Sequence, residues 1–127
     1  MTAPLTEFRL AQPSTVKDAV AACIKHPGSR FVAGGTDLLV NMRRGISSPN
    51  LLVDLSGIDE LTEIKTDGRG VTIGAGVTIA TLARNTAIAS QYRALTQAAA
   101  AIAGPGHRVM ATAVSYTHLT LPTIYSV

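Results

Sequence analysis

The residues with most to offer chemically lie between Phe31 and Gly45, FVAGGTDLLVNMRRG. A diphosphate needs several hydrogen-bond donors aimed at one place. Consecutive backbone N–H groups in a glycine turn can supply them, because glycine tolerates positive φ and lets the main chain come close. In VAGGTDLL the donors would be the amides around Gly34, Gly35, Thr36, Asp37 and Leu38, with the Thr36 hydroxyl as a further contact. A following helix would add the positive end of its dipole. Asp37 is a poor phosphate ligand and is expected to cap or brace the turn. The pattern lacks the third glycine of Gly-x-Gly-x-x-Gly, and no Gly-Lys-Ser/Thr follows. On pattern alone, an ordinary strand-to-helix turn explains Gly34-Gly35 at least as well.

Other polar residues show less. Gly74-Ala75-Gly76 lies between a candidate strand and a candidate helix, where a tight, closely packed connection is the simpler reading. In GPGHR, Arg108 could pair with a phosphate or carboxylate, but surface-loop positions account for both it and His107. Arg43 and Arg44 fall at a helix end, where the dipole favours them. His26, His107 and His118 have no metal-ligand spacing, and the carboxylates are dispersed. With no nucleophile triad and no acid–base pair, any chemistry would come from a bound cofactor. Cys23 falls on the apolar face of a candidate helix and reads as a buried thiol; a lone cysteine excludes an internal disulfide.

The elements that must position these residues alternate. Phe8 to Leu10 is a strand candidate ended by Pro13. STVKDAVAACIKHPG reads as a helix capped by Ser14 or Thr15, with Val16, Val20, Cys23 and Ile24 on one face and Pro27-Gly28 as its stop. Arg30 to Ala33 is a short strand entering the glycine turn. Leu38, Leu39 and Met42 then recur at helical spacing up to Gly45. LLVDL at 51–55 is a buried-strand candidate, and Leu61 to Ile64 another. DGRG at 67–70 is a tight turn feeding a strand at Val71 to Ile73. Thr78 can cap a short helix through Asn85, and LTQAAAAIA at 95–103 is helical, ended by Gly104-Pro105-Gly106. Such alternation predicts a mixed α/β (α+β) fold.

Composition narrows the class. The chain of 127 residues is 46% apolar and 15% charged, as a folded core requires. Its net charge of +3 is scattered, with no basic stripe, which argues against nucleic acid. The first residues are too polar for a signal peptide, and no apolar run approaches a membrane span, so a cytoplasmic location is the default expectation.

The last stretch, VSYTHLTLPTIYSV from Val114, differs from the rest: it carries no charge and no clear face. Read as protein it could be an aggregation-prone strand. VSYTHLTLPT also resembles the in-frame translation of a transposase-type adapter used in sequencing libraries. The expectation is therefore that residues 1–113 are native and 114–127 are not, and Tyr116, His118 and Tyr125 carry no functional argument.

Five segments together match a family: EFRLAQPSTVKDAV, FVAGGTDLLVNMRRG, LLVDLSGIDELTEI, VTIGAGVTIATLA and AIAGPGHRVMAT. The chain resembles the N-terminal part of the FAD-binding subunit of molybdenum hydroxylases, the xanthine dehydrogenase and carbon monoxide dehydrogenase group. TDLLVNMRRG and AGPGHR look like the 4-hydroxybenzoyl-CoA reductase branch; many relatives have Gln in place of Gly106 and Ile in place of His107.

This resemblance implies the two-subdomain, PCMH-type FAD-binding fold shared with the vanillyl-alcohol oxidase group, of which this chain carries the first subdomain and the start of the second. It assigns Phe31, Val32, Ala33, Gly34, Gly35, Thr36, Asp37 and Leu38 to the FAD pyrophosphate loop. Ile102 matches a pocket-lining position, and Ala111, Thr112 and Ala113 match the start of a second loop, Ala-Thr-x-Gly-Gly, whose glycines are replaced here by Val114-Ser115. It implies FAD as cofactor of the intact subunit, and assembly with a molybdenum-cofactor subunit and a [2Fe–2S] subunit. The intact subunit would pass electrons in the reductive dehydroxylation of 4-hydroxybenzoyl-CoA, or in a xanthine, aldehyde or CO dehydrogenase-type reaction. A fragment that binds nothing tightly and is inactive alone is the third expectation.

Overall fold

The computed structural model describes Leu5 and residues 7–113, which fall into two compact units meeting at the Glu60–Leu61 bond. The segment 114–127, with Tyr116, His118 and Tyr125, lies outside the described residues.

The first unit runs β1 (Arg9–Ala11), α1 (Val16–Lys25), β2 (Arg30–Val32), α2 (Leu38–Arg43) and β3 (Leu51–Asp54). The three strands form a parallel sheet in the order β1-β3-β2, with Leu10 opposite Leu52 and Phe31 opposite Val53. The last strand in sequence is thus the central one. Leu51, Leu52 and Val53 are all buried, and such an unbroken apolar run suits a strand covered on both faces.

Two side chains secure the start of α1. The Thr15 hydroxyl accepts from Asp18 N at 3.1 Å, and Glu60 Oε1 accepts from Val16 N at 3.0 Å. Both occupy first-turn amides that the helix itself leaves unpaired. The face that α1 buries differs from the expected one. Ala19 is buried, whereas Val20 is exposed and Ile24 is 76% exposed. Cys23 is half-buried and not a core thiol. The covered stripe runs through Val16, Ala19 and Cys23, because α1 packs on β3 and a small residue lets helix and sheet approach. Val20 and Ile24 lie about a quarter-turn away. Met42 is the buried side chain of α2, and the helix closes with Gly45 N on Met42 O and Ile46 N on Asn41 O.

The second unit holds a hairpin and four helices: β4 (Ile64–Asp67), β5 (Gly70–Ile73), α3 (Ile79–Arg84), α4 (Thr86–Gln91), α5 (Arg93–Ala101) and α6 (Pro105–Arg108). The expected strand at Leu61 to Ile64 is displaced. A 3-10 turn covers Asp59–Leu61, and β4 begins at Ile64. The carbonyls of Leu61 and Glu63 accept from Gly76 N and Gly74 N, both at 2.8 Å, so they face the glycine connection and not a strand partner. The DGRG turn forms as expected: Asp67 Oδ1 accepts from Arg69 N and Gly70 N, and β4 pairs antiparallel with β5.

Thr78 caps α3 by accepting from Thr81 N. Asn85 ends α3 and at once caps α4, its Oδ1 accepting from Ile88 N at 2.9 Å. The core of this unit is Val77, Ile79, Leu82, Ile88, Ala99 and Ala111, with Ile64, Val71, Ile73 and Ile102 packed against it. No helix among the described residues is long and apolar enough to cross a membrane.

Candidate functional site

The turn between β2 and α2 carries the densest set of expected site residues. Phe31 and Val32 end β2, Ala33 to Asp37 form the turn, and Leu38 opens α2. Phe31, on the edge strand β2, is 46% exposed. Gly35 has φ +73, a conformation that L side chains rarely adopt. A Cβ there would also lie 2.8 Å from Leu39 Cδ1 and 3.1 Å from Leu39 Cγ. The turn is therefore built around a residue with no side chain. Leu39 N donates to Gly35 O and Asn41 N to Asp37 O. The N–H groups of Gly34, Gly35, Thr36, Asp37 and Leu38 donate no hydrogen bond among the described residues.

Asp37 does not cap α2 through its side chain. It braces the first turn instead, its Oδ2 accepting from Asn41 Nδ2 at 3.2 Å. That contact ties the carboxylate to the helix side chain one turn on. The dipole contribution expected from the following helix is small, because α2 has only six residues. The donor capacity of this turn lies in its own amides.

In the second unit, Ile102 is half-buried against the core cluster, and Ala111 and Thr112 are buried. The segment 111–113 runs antiparallel beside residues 77–79: Ile79 N donates to Ala111 O and Ala113 N to Val77 O, both at 2.9 Å, with Thr78 opposite Thr112. Ala111 N is also engaged, on His107 O. The amides of Ala111 and Ala113 are thus occupied by the protein itself, and this segment is anchored on the core.

Gly74 and Gly76 form the closely packed connection that was the simpler reading of their sequence. A Cβ on Gly74 would overlap the Leu61 carbonyl oxygen, and one on Gly76 would come within 3.2 Å of it. Arg108 departs from its expected place in an exposed loop. It lies in α6, and its guanidinium Nη1 donates to the carbonyls of both Ile102 and Ala103 at 2.9 Å. His107 is in the same helical turn and is half-buried. The signal for Arg108 was the break Ile102-Ala103-Gly104, which leaves carbonyls at the end of α5 needing donors. Among the described residues no group of three His, Cys, Asp or Glu is placed to hold a metal ion.

Residues 6–114 match the protein family described as the FAD binding domain in molybdopterin dehydrogenase. The chain is 33% identical over 106 residues to the carbon monoxide dehydrogenase medium chain of Afipia carboxidovorans, covering 83% of this chain and 37% of that one. It is 35% identical over 106 residues to an aldehyde oxidoreductase FAD-binding subunit of Escherichia coli, covering 83% and 33%. It is 31% identical over 101 residues to the nicotine 6-hydroxylase medium subunit of Paenarthrobacter nicotinovorans, covering 80% and 36%. Among solved structures it matches reconstituted CO dehydrogenase from Oligotropha carboxidovorans with a TM-score of 0.86 at 31% identity, covering 89% of this chain and 40% of that one. Quinoline 2-oxidoreductase from Pseudomonas putida 86 gives 0.86 at 25% identity with the same coverage. The chain therefore spans between 33% and 40% of the length of these relatives. The mixed α/β units and these matches agree with the PCMH-type FAD-binding fold expected from the sequence.

Proposed function

The chain belongs to the family of FAD-binding domains of molybdopterin dehydrogenases, and from that premise we propose that the turn Phe31 to Leu38 holds the diphosphate of FAD. The observation that carries this reading is the run of amides from Gly34 to Leu38 with no acceptor among the described residues, arranged around a glycine at φ +73. Such a nest of N–H groups suits anionic oxygens. Val32 and Ala33 lead into the nest, Thr36 adds a hydroxyl, and Asn41 holds the Asp37 carboxylate. Further FAD contacts are assigned to Ile102, Ala111, Thr112 and Ala113 from the family likeness. With the amides of Ala111 and Ala113 engaged, those two residues contribute through shape.

When bound, the flavin would relay electrons between donors and acceptors held elsewhere in the intact protein. We assign those to a [2Fe–2S] subunit and a molybdenum-cofactor subunit, in keeping with the resemblance that the sequence carries. The chain's own part is to bind and orient the cofactor; alone it is expected to turn over no substrate. Two substrate readings follow. TDLLVNMRRG and AGPGHR favour reductive dehydroxylation of 4-hydroxybenzoyl-CoA, whereas the named relatives favour a CO, aldehyde or N-heterocycle dehydrogenase. A four-cysteine iron–sulfur insertion beyond the second glycine loop belongs to the first reading. Sequencing the source DNA past the codon for Ala113 discriminates: a cluster supports the reductase, and Gly-Gly with no cluster supports the dehydrogenases.

FAD titration of the chain, followed by flavin fluorescence, tests the loop. Gly35→Asp places both a side chain and a negative charge against the amides and is expected to weaken binding by about tenfold or more. Equal affinity of the two proteins refutes the loop assignment.

A further inference from the structure

Ala103 has φ +44, the only non-glycine residue with positive φ among the described residues. It follows the last residues of α5, where left-handed backbone is usual but glycine is the usual occupant. A left-handed alanine is strained, and such a conformation persists only where its surroundings hold it. What surrounds it is the Arg108 guanidinium, whose Nη1 sits 2.9 Å from the carbonyl oxygens of Ile102 and Ala103. These are charge-assisted bonds to two carbonyls that α5 leaves without helical partners.

The same arginine belongs to α6, and α6 is bonded onward. Arg108 N donates to Gly104 O, Ala111 N to His107 O, and Ile79 N to Ala111 O. One side chain thus closes a bonded path from Ile102 through α6 to the Ala111–Ala113 segment on the core. Both ends of that path are places assigned above to FAD contact.

We infer that Arg108 is a positioning residue for the cofactor. It holds the Ile102–Ala103 turn in its left-handed form and so sets where Ile102 stands relative to Ala111 and Thr112. It acts through this turn and not by touching FAD. The inference rests on the FAD reading above.

The test uses Arg108→Ala, Arg108→Lys, Ala103→Gly and the double variant Ala103→Gly/Arg108→Ala. FAD affinity is measured at a temperature where circular dichroism shows all of them folded. Arg108→Ala is expected to weaken FAD binding about tenfold, with Arg108→Lys recovering part of the loss. Glycine adopts the left-handed turn unaided, so in the Ala103→Gly background the same arginine removal should cost less than about threefold. A merely structural arginine would lower the melting temperature and leave affinity unchanged; that result overturns the inference. An equal loss in both backgrounds also overturns it, since it would mean direct contact with FAD. If the unsubstituted chain binds no FAD, that outcome bears on the functional reading and not on Arg108. Amide hydrogen exchange then decides the tie: Arg108→Ala should speed exchange at Ala111 only where residue 103 is alanine, and unchanged exchange refutes it.

Discussion

Replacing Gly35 with alanine perturbs the turn in two separable ways. The first is the backbone. At φ +73 an L-residue crowds its own carbonyl, at a cost of about 1 kcal/mol or slightly more. The second is the neighbour. The new methyl would lie 2.8 Å from Leu39 Cδ1, inside contact distance, so Leu39 must leave its rotamer for roughly 1 kcal/mol more. Together Gly35→Ala should destabilise the first unit by about 2 kcal/mol. The chain has no tryptophan, so urea unfolding is best followed by far-ultraviolet circular dichroism, with the m-value checked for constancy. A cycle with Leu39→Ala separates the parts: in that background the penalty should fall to about 1 kcal/mol, the dihedral component alone. FAD affinity should drop in parallel, because the Gly34 to Leu38 amides move with the turn. A loss below about 0.5 kcal/mol, or one indifferent to Leu39, would refute the reasoning, since ordinary surface changes are that small.

Four further outcomes follow from the same structure. Gly74→Ala should cost about 3 kcal/mol, because the obstacle is the Leu61 backbone carbonyl, which cannot rotate aside, and the bonds from Gly74 N and Gly76 N are strained with it. Gly68→Ala, with open space around it, is the control and should lie within about 0.5 kcal/mol of the parent in the same denaturation assay. Ala103→Gly should stabilise the second unit by up to about 1 kcal/mol, read as a rise in melting temperature. Thr15→Ala should cost about 1 kcal/mol and speed amide exchange in the first turn of α1, with Asp18 N most affected.

What could be read in advance was local. Thr15 and Thr78 act as caps because a hydroxyl one residue before an apolar-periodic run can reach the third helical amide. LLVD announces a doubly covered strand by its lack of alternation, and DGRG a turn by an Asp able to accept from two amides ahead. The glycine turn at 34–35 was legible as a strand-to-helix turn, though not which of its polar groups would be engaged. Asp37 pairs with Asn41 and does not cap, and the amides of residues 34–38 donate no hydrogen bond among the described residues.

The unread parts depend on partners distant in sequence. Helical periodicity places Val20 and Ile24 with Val16 and Cys23, but packing on β3 selected the neighbouring stripe through Ala19, because a small side chain permits closer approach. Asn85 serves two helices at once, so one capping signal concealed the start of α4.

The sequence by itself determined most of the element types, the Thr15 and Thr78 caps, the DGRG turn and the family, because each rests on residues within one or two turns of each other or on the order of five segments. Only the tertiary structure decided that β3 lies between β1 and β2, that Glu60 closes the start of α1, that Leu61 excludes any side chain at Gly74, and that Arg108 grips the end of α5. Each of these pairs a group with one set against it by the fold, and a carbonyl or amide left over at an element's end carries no mark in the sequence of which donor or acceptor will meet it.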